Sequence, residues 1–125
     1  MQTIILIMLR QPVAQRLFQK LHNDSGTRVI LESDYHKAIS VVEAHDAYTV
    51  LIEVTESGEY DAAFCLDLCK RIQSNSPQCR RLLLCPEQDE LSVLTAVEAV
   101  RDGRINDFLF YDVSIDYLAS KLLSV

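Results

Sequence analysis

Glycine is scarce in this chain, three residues in 125. The turn after the first apolar run is Leu9-Arg10-Gln11-Pro12, with no Gly-rich cradle for phosphates, which argues against a P-loop or dinucleotide-binding enzyme. A surplus of positive charge is missing as well. Twelve basic against 18 acidic side chains give a formal net charge of -6, and no segment gathers the lysines and arginines, so direct nucleic-acid binding is not expected. Long apolar runs are absent. The first spans only about seven residues, with no basic segment before it and no small-residue cleavage site after it, which predicts neither a signal peptide nor a membrane span, and a cytoplasmic location. Close cysteine pairs are lacking too. Cys65 and Cys69 stand four apart in a helix-like segment, Cys79 and Cys85 lie further on, and no histidine sits beside them. That pattern predicts buried, reduced thiols rather than a zinc site or disulfides. With no repeat, low-complexity tract or linker, residues 1–125 read as one domain with one core.

What is present is a regular alternation of apolar runs and amphipathic segments. Thr3 to Met8 reads as a buried strand, and Pro12 opens a helix whose Val13, Leu17, Phe18 and Leu21 recur at helical spacing until Asp24-Ser25-Gly26 stops it. Arg28 to Leu31 gives a second strand. Asp34 can cap a helix containing Ala38, Val41 and Val42, and Tyr48 to Val54 forms a third strand. Beyond the loop Thr55 to Tyr60, Asp61 can cap a helix over Ala62 to Ile72, which the turn Ser74-Asn75-Ser76-Pro77 separates from a fourth strand, Arg81 to Cys85. Leu91, Leu94, Val97 and Val100 mark a fourth helix ending at Asp102-Gly103, and Asp107 to Tyr111 reads as a fifth strand. Ser114 can cap a last helix built on Ile115, Leu118 and Leu122. Five strands alternating with five helices predict an α/β fold: a three-layer α/β/α sandwich around a five-stranded parallel sheet, because strands this apolar need cover on both faces and parallel pairs need crossover helices.

The order of elements, the Ile5-Leu6-Ile7-Met8 segment before Gln11-Pro12, the strand Val50-Leu51-Ile52-Glu53 and the Asn106-Asp107-Phe108-Leu109-Phe110 strand before a Ser-capped helix resemble the receiver domain of bacterial response regulators. The resemblance covers essentially the whole chain and implies the flavodoxin-like, CheY-like (βα)5 fold. In that family the C-terminal edge of the sheet holds two acids after strand one, a phosphoacceptor aspartate ending strand three, a hydroxyl residue ending strand four and a lysine ending strand five. Carried over position by position, the acids fall on Leu9 and Arg10, the acceptor on Glu53, the hydroxyl on Cys85 and the lysine on Tyr111. The aromatic that changes rotamer on activation falls on Phe108, although its usual hydroxyl partner is missing and a space-filling strand aromatic is the plainer account.

These departures have chemical consequences. Magnesium needs several hard oxygen ligands, and at the positions of the paired acids leucine supplies none while arginine brings positive charge, so no Mg2+ cofactor is expected. Phosphoryl transfer depends on positioning and on charge neutralisation by metal and lysine, and both are missing. Cysteine is a weak donor and tyrosine is uncharged at neutral pH, so neither replaces what is lost. Arg10 and Glu53 can instead form an internal ion pair, the alternative being two solvated residues at a disused pocket. Glu53 as a fixed phosphate mimic is a further reading.

Other polar residues attract less weight. His22, His36 and His45 share no i, i+4 spacing, Glu56, Glu59 and Asp61 read as solvated loop charges, and Cys85 has no adjacent base to make it a nucleophile. The expectation is therefore a non-enzymatic, phosphorylation-independent pseudo-receiver that signals through a protein partner or a homodimer. By resemblance the contact face is helix four, strand five and helix five, with Val113 to Val125 supplying part of it. A pseudo-receiver binding a small molecule in an apolar pocket near Leu9 and Tyr111, and a conventional phospho-accepting receiver, are the alternatives. A stand-alone regulator and a receiver joined to an output domain, such as a DNA-binding one, both fit the resemblance.

Overall fold

The computed structural model describes residues 2–124, without the side chains of Asp24 and Ser25; Met1 and Val125, and so the last position of the proposed contact face, lie outside the described residues. Its elements in order are β1 (Thr3–Ile7), α1 (Gln11–Ser25), β2 (Arg28–Glu32), α2 (Ala38–His45), β3 (Thr49–Glu53), α3 (Ala62–Asn75), β4 (Arg80–Cys85), α4 (Glu90–Arg101), β5 (Asp107–Phe110) and α5 (Ile115–Leu123). All sheet pairs are parallel, in the order β2-β1-β3-β4-β5. The strand order changes direction between β1 and β3, which opens the crevice where open sheets of this kind place their sites.

Alternation along the strands divides the core into two layers. Ile5, Ile7, Val50, Ile52 and Leu83 pack with Val42, Cys65, Leu68, Cys69, Ile72, Ala96 and Ala99 of α2, α3 and α4. Ile4, Leu6, Met8, Leu51, Leu82 and Leu84 pack with Leu17, Leu21, Leu118 and Leu122 of α1 and α5. Each Val, Leu, Ile or Met side chain so buried is worth about 1.5–3 kcal/mol, so the two helical layers hold the sheet from both sides. All four cysteines are free thiols buried in the first layer.

The caps explain most of the element ends. Asp61 and Ser114 accept from the backbone N–H groups of Phe64 and Tyr117, as their positions predict. Gly26 ends α1 at φ 67°, a left-handed conformation natural to glycine. Asp34 differs from expectation. It caps a single 3-10 turn, Tyr35–Lys37, and α2 proper begins only at Ala38. Helix α4 differs more: it buries the small residues Ser92, Ala96 and Ala99, while Leu91, Leu94 and Val97 face solvent. The periodicity marked the helix correctly but not the side it turns to the sheet, because α4 approaches the sheet on small side chains.

Candidate functional site

β1 and β3 end side by side, with Ile7 paired to Ile52. One residue beyond that pair, Glu53 is 2% exposed, and its carboxylate turns back toward the β1–α1 turn. There Oε1 accepts the backbone N–H of Leu9 at 2.6 Å and that of Arg10 at 3.1 Å, while Oε2 lies 3.7 Å from the Arg10 Nε. Both N–H groups lie at the start of α1, where the helix dipole also favours negative charge. The backbone is therefore the main partner of this carboxylate. Arg10 is its second partner, a loose one, because the guanidinium is 62% exposed and water screens it.

Arg10 also touches Tyr111: its Cζ lies 4.4 Å from the ring centroid, a cation–π contact worth about 0.5–1 kcal/mol at an exposed site. Tyr111 follows the last residue of β5, and its hydroxyl is the one buried side-chain oxygen or nitrogen without a hydrogen-bond partner among the described residues. Cys85 ends β4 fully buried, and burial, with Asp89 nearby, pushes its thiol up to about 12. A thiol so strongly protonated is no nucleophile at neutral pH. Leu9 is 43% exposed and offers no donor atom but its backbone. Phe108 is half-buried at the sheet edge, its ring edge-on to Phe110 at 5.5 Å.

Tyr35, which the sequence did not single out, and Cys65, read from the sequence only as a buried thiol, hold Glu53 from behind. Tyr35 is fully buried and its hydroxyl donates to the Glu53 carbonyl at 2.6 Å, with the Cys65 Sγ 3.8 Å from the same oxygen. Burial first, then the charge of Glu53, drives the Tyr35 hydroxyl pKa far upward, so it stays a donor. The Tyr35 ring stacks on Tyr60 with centroids 4.0 Å apart, and Phe64 and His36 complete an aromatic group that ends in a His36–Glu59 contact of 3.1 Å. A tyrosine directly after a capping aspartate was the available signal, but nothing in the sequence said where its hydroxyl would end.

Beside Arg10 and Tyr111 a shallow cavity of about 290 Å3 is lined by those two residues and by Glu56, Pro86, Glu87 and Asp112, among others. The apolar pocket expected near Leu9 and Tyr111 is thus a polar one, because charged residues of four loops, Arg10, Glu56, Glu87 and Asp112, crowd the strand ends. The Glu87 and Asp112 carboxylates are neighbours there, and the hydrogen bond that a protonated Glu87 makes to Asp112, with the charge of Asp112, raises the Glu87 pKa. The donor set does not suit magnesium. One buried carboxylate is spent on backbone N–H groups, a guanidinium stands beside it, and among the described residues no three His, Cys, Asp or Glu groups are placed to hold a metal ion.

No family model and no curated protein matches the chain. Solved structures do. An adenylate cyclase from Rhodopirellula baltica superposes with a TM-score of 0.80 at 19% identity, over 97% of this chain and 84% of that one. A structure from a family of streptococcal redox sensors evolved from two-component response regulators gives 0.78 at 21% identity, over 97% and 49%. A response regulator from Thermotoga maritima gives 0.71 at 19% identity, over 96% and 92%. At such identities the likeness is one of architecture, and the architecture is the (βα)5 fold of CheY-like response-regulator receiver domains.

Proposed function

We propose that this chain is a receiver-like signalling module that works without phosphorylation and without magnesium, through protein contacts. The observation that carries the reading is the engagement of Glu53. A carboxylate must present a free oxygen to an incoming phosphoryl group, and here one oxygen is held by two backbone N–H groups while the other faces a guanidinium. The extra methylene of glutamate is what allows that reach. An aspartate carboxylate would sit about 1.5 Å further back, away from the turn. With no metal-holding cluster among the described residues and Tyr111 in place of a lysine after β5, nothing neutralises the transferred group, and the electrostatic part of catalysis is missing as well.

The contact face favoured is that of α4, β5 and α5, where Leu94, Val97 and Tyr117 are exposed and Phe108 and Phe110 half-exposed. A second reading, capture of a small polar ligand in front of Arg10, is favoured by the unpartnered Tyr111 hydroxyl and is tested by thermal-shift screening. A thiol-based sensor reading is disfavoured, since burial raises the pKa of every cysteine. The main test is incubation with a small-molecule phosphoryl donor and magnesium, followed by intact-mass measurement. No gain of a phosphoryl group is expected. A stable acyl phosphate on Glu53 or Asp61 would overturn the proposal.

A further inference from the structure

Helices α3 and α4 cover the same face of the sheet, and α4 meets it on Ser92, Ala96 and Ala99. Side chains this small leave the space between the two helices unfilled. A groove of about 630 Å3 lies there, against about 290 Å3 for the cavity beside Arg10. One wall is a row on α3, Ala63, Leu66, Lys70 and Gln73, at spacings of three, four and three. Residues so spaced form one stripe on an α-helix. The other wall is Thr95 of α4 and, beyond the end of that helix, Arg104. Leu91, 74% exposed, stands one turn before Thr95 and continues its row.

The groove is apolar at one end and cationic at the other. Ala63, Leu66 and Leu91 lie toward the helix starts, Lys70 and Arg104 toward the helix ends. Lys70 is in no ion pair among the described residues, and Arg104 meets only the exposed Asp102, at 3.4 Å. Asp67, the one carboxylate lining the groove, is taken by Arg71 at 3.2 Å. On a chain of net charge -6 this is a local surplus of positive charge. We propose that the groove receives an amphipathic helix of a partner protein, its apolar side chains on Ala63, Leu66 and Leu91 and acidic residues of its first turn over Lys70 and Arg104. The row from Ala63 to Gln73 is about 15 Å long, which matches about three turns of such a helix. Acids at its start set the partner helix antiparallel to α3 and α4, the direction that the helix dipoles also favour. A helix with a basic start would meet like charge, so the groove selects the sign of its partner. This names a partner class for the chain and rests on the reading that it works through protein contacts, at a groove separate from the face of α4, β5 and α5.

Selection of a displayed library of random peptides, each about 14 residues or four helical turns long, on the whole chain tests the fit. The enriched sequences are expected to carry leucine, phenylalanine or methionine at helical spacing and aspartate or glutamate in the first turn. A labelled synthetic copy of the most enriched peptide is then titrated by fluorescence anisotropy. A63R, which fills the apolar end, and K70E/R104E, which reverses the cationic end, should each weaken binding at least about tenfold. The same peptide with its acids changed to lysine should bind the wild type poorly and regain affinity for K70E/R104E. Y117D, on the face of α4, β5 and α5, should bind as the wild type does. The substituted side chains are exposed, and circular dichroism confirms that each variant is folded. The proposal is overturned by a library that yields no binder, by enriched peptides without acids, or by an affinity indifferent to A63R. Self-association of the chain that A63R abolishes would make the occupant a second copy and overturn it too. A peptide lost with Y117D and kept with A63R overturns the groove alone and leaves the reading of protein contacts standing. An acyl phosphate found on Glu53 would overturn the phosphorylation-independent reading whatever the peptides do.

Discussion

Two charged residues of the sheet are buried, Glu53 at its C-terminal edge and Arg81 near its N-terminal edge, and the backbone holds both. Arg81 is 4% exposed and gives Nη1 to the Cys79 carbonyl at 2.8 Å and Nε to the Arg104 carbonyl at 3.4 Å. No carboxylate pairs with it among the described residues. Glu53 takes N–H groups at the opposite edge and has a partial counter-charge in Arg10. The difference lies in what each fastens. Arg81 ties β4 to the turns before β4 and β5, which is structural work, whereas Glu53 ties β3 to the β1–α1 turn, the place where this fold keeps its site. A charge there has been kept but turned inward.

Breaking the structural end should cost most. R81A leaves two carbonyls short of donors and a gap at the sheet end, and its loss of about 2–4 kcal/mol should show in the urea midpoint. At the other edge, E53A strips two N–H groups of their acceptor and should lose about 1–3 kcal/mol. E53Q, which keeps a carbonyl oxygen at the same reach, should lose less, and E53D should behave like E53A because its carboxylate falls short. An E53D variant as stable as E53Q would show that reach is not what the glutamate provides. Y35F removes the support behind Glu53, with an expected loss of about 0.5–1.5 kcal/mol. R10A should cost less than about 1 kcal/mol, since that partner is largely solvated. A larger loss would move the balance from backbone to ion pair.

The smallest effect is one of pH. Asp112 raises the Glu87 pKa in the folded state, so the fold binds that proton more tightly than the unfolded chain does. The stability it contributes is present below the unfolded carboxylate pKa and is lost as pH rises through the folded one. Thermal melts of D112N should lack this small decline, which separates the outer carboxylates from Glu53.

The fold was legible because apolar runs of strand length alternate with helical periodicity from Thr3 to Leu122, and Asp61 and Ser114 stand where the helices start. What was not legible depends on direction in space. Leu91, Leu94 and Val97 carry the helical period, yet whether a helix meets a sheet with its large or its small residues is a matter of packing distance, and α4 comes in on Ala96 and Ala99. Leu9, Arg10 and Glu53 could be placed at one edge from the resemblance alone. That Glu53 would bond the backbone N–H groups of two of them could not, since backbone donors have no letter in the sequence. Tyr35 was missed because its role is set by where a long side chain ends, 18 residues away from its acceptor.

The four thiols buried between the sheet and its helices, two of them carried by α3 itself, give the folded chain a built-in clock. Cys69 and Cys85, raised to about 12, and Cys79, raised to about 11, are nearly devoid of thiolate at neutral pH and shielded from reagents. An alkylating reagent therefore reaches them only when the helix lifts from the sheet, so the labelling rate counts openings of the native structure rather than any chemistry of the sulfur.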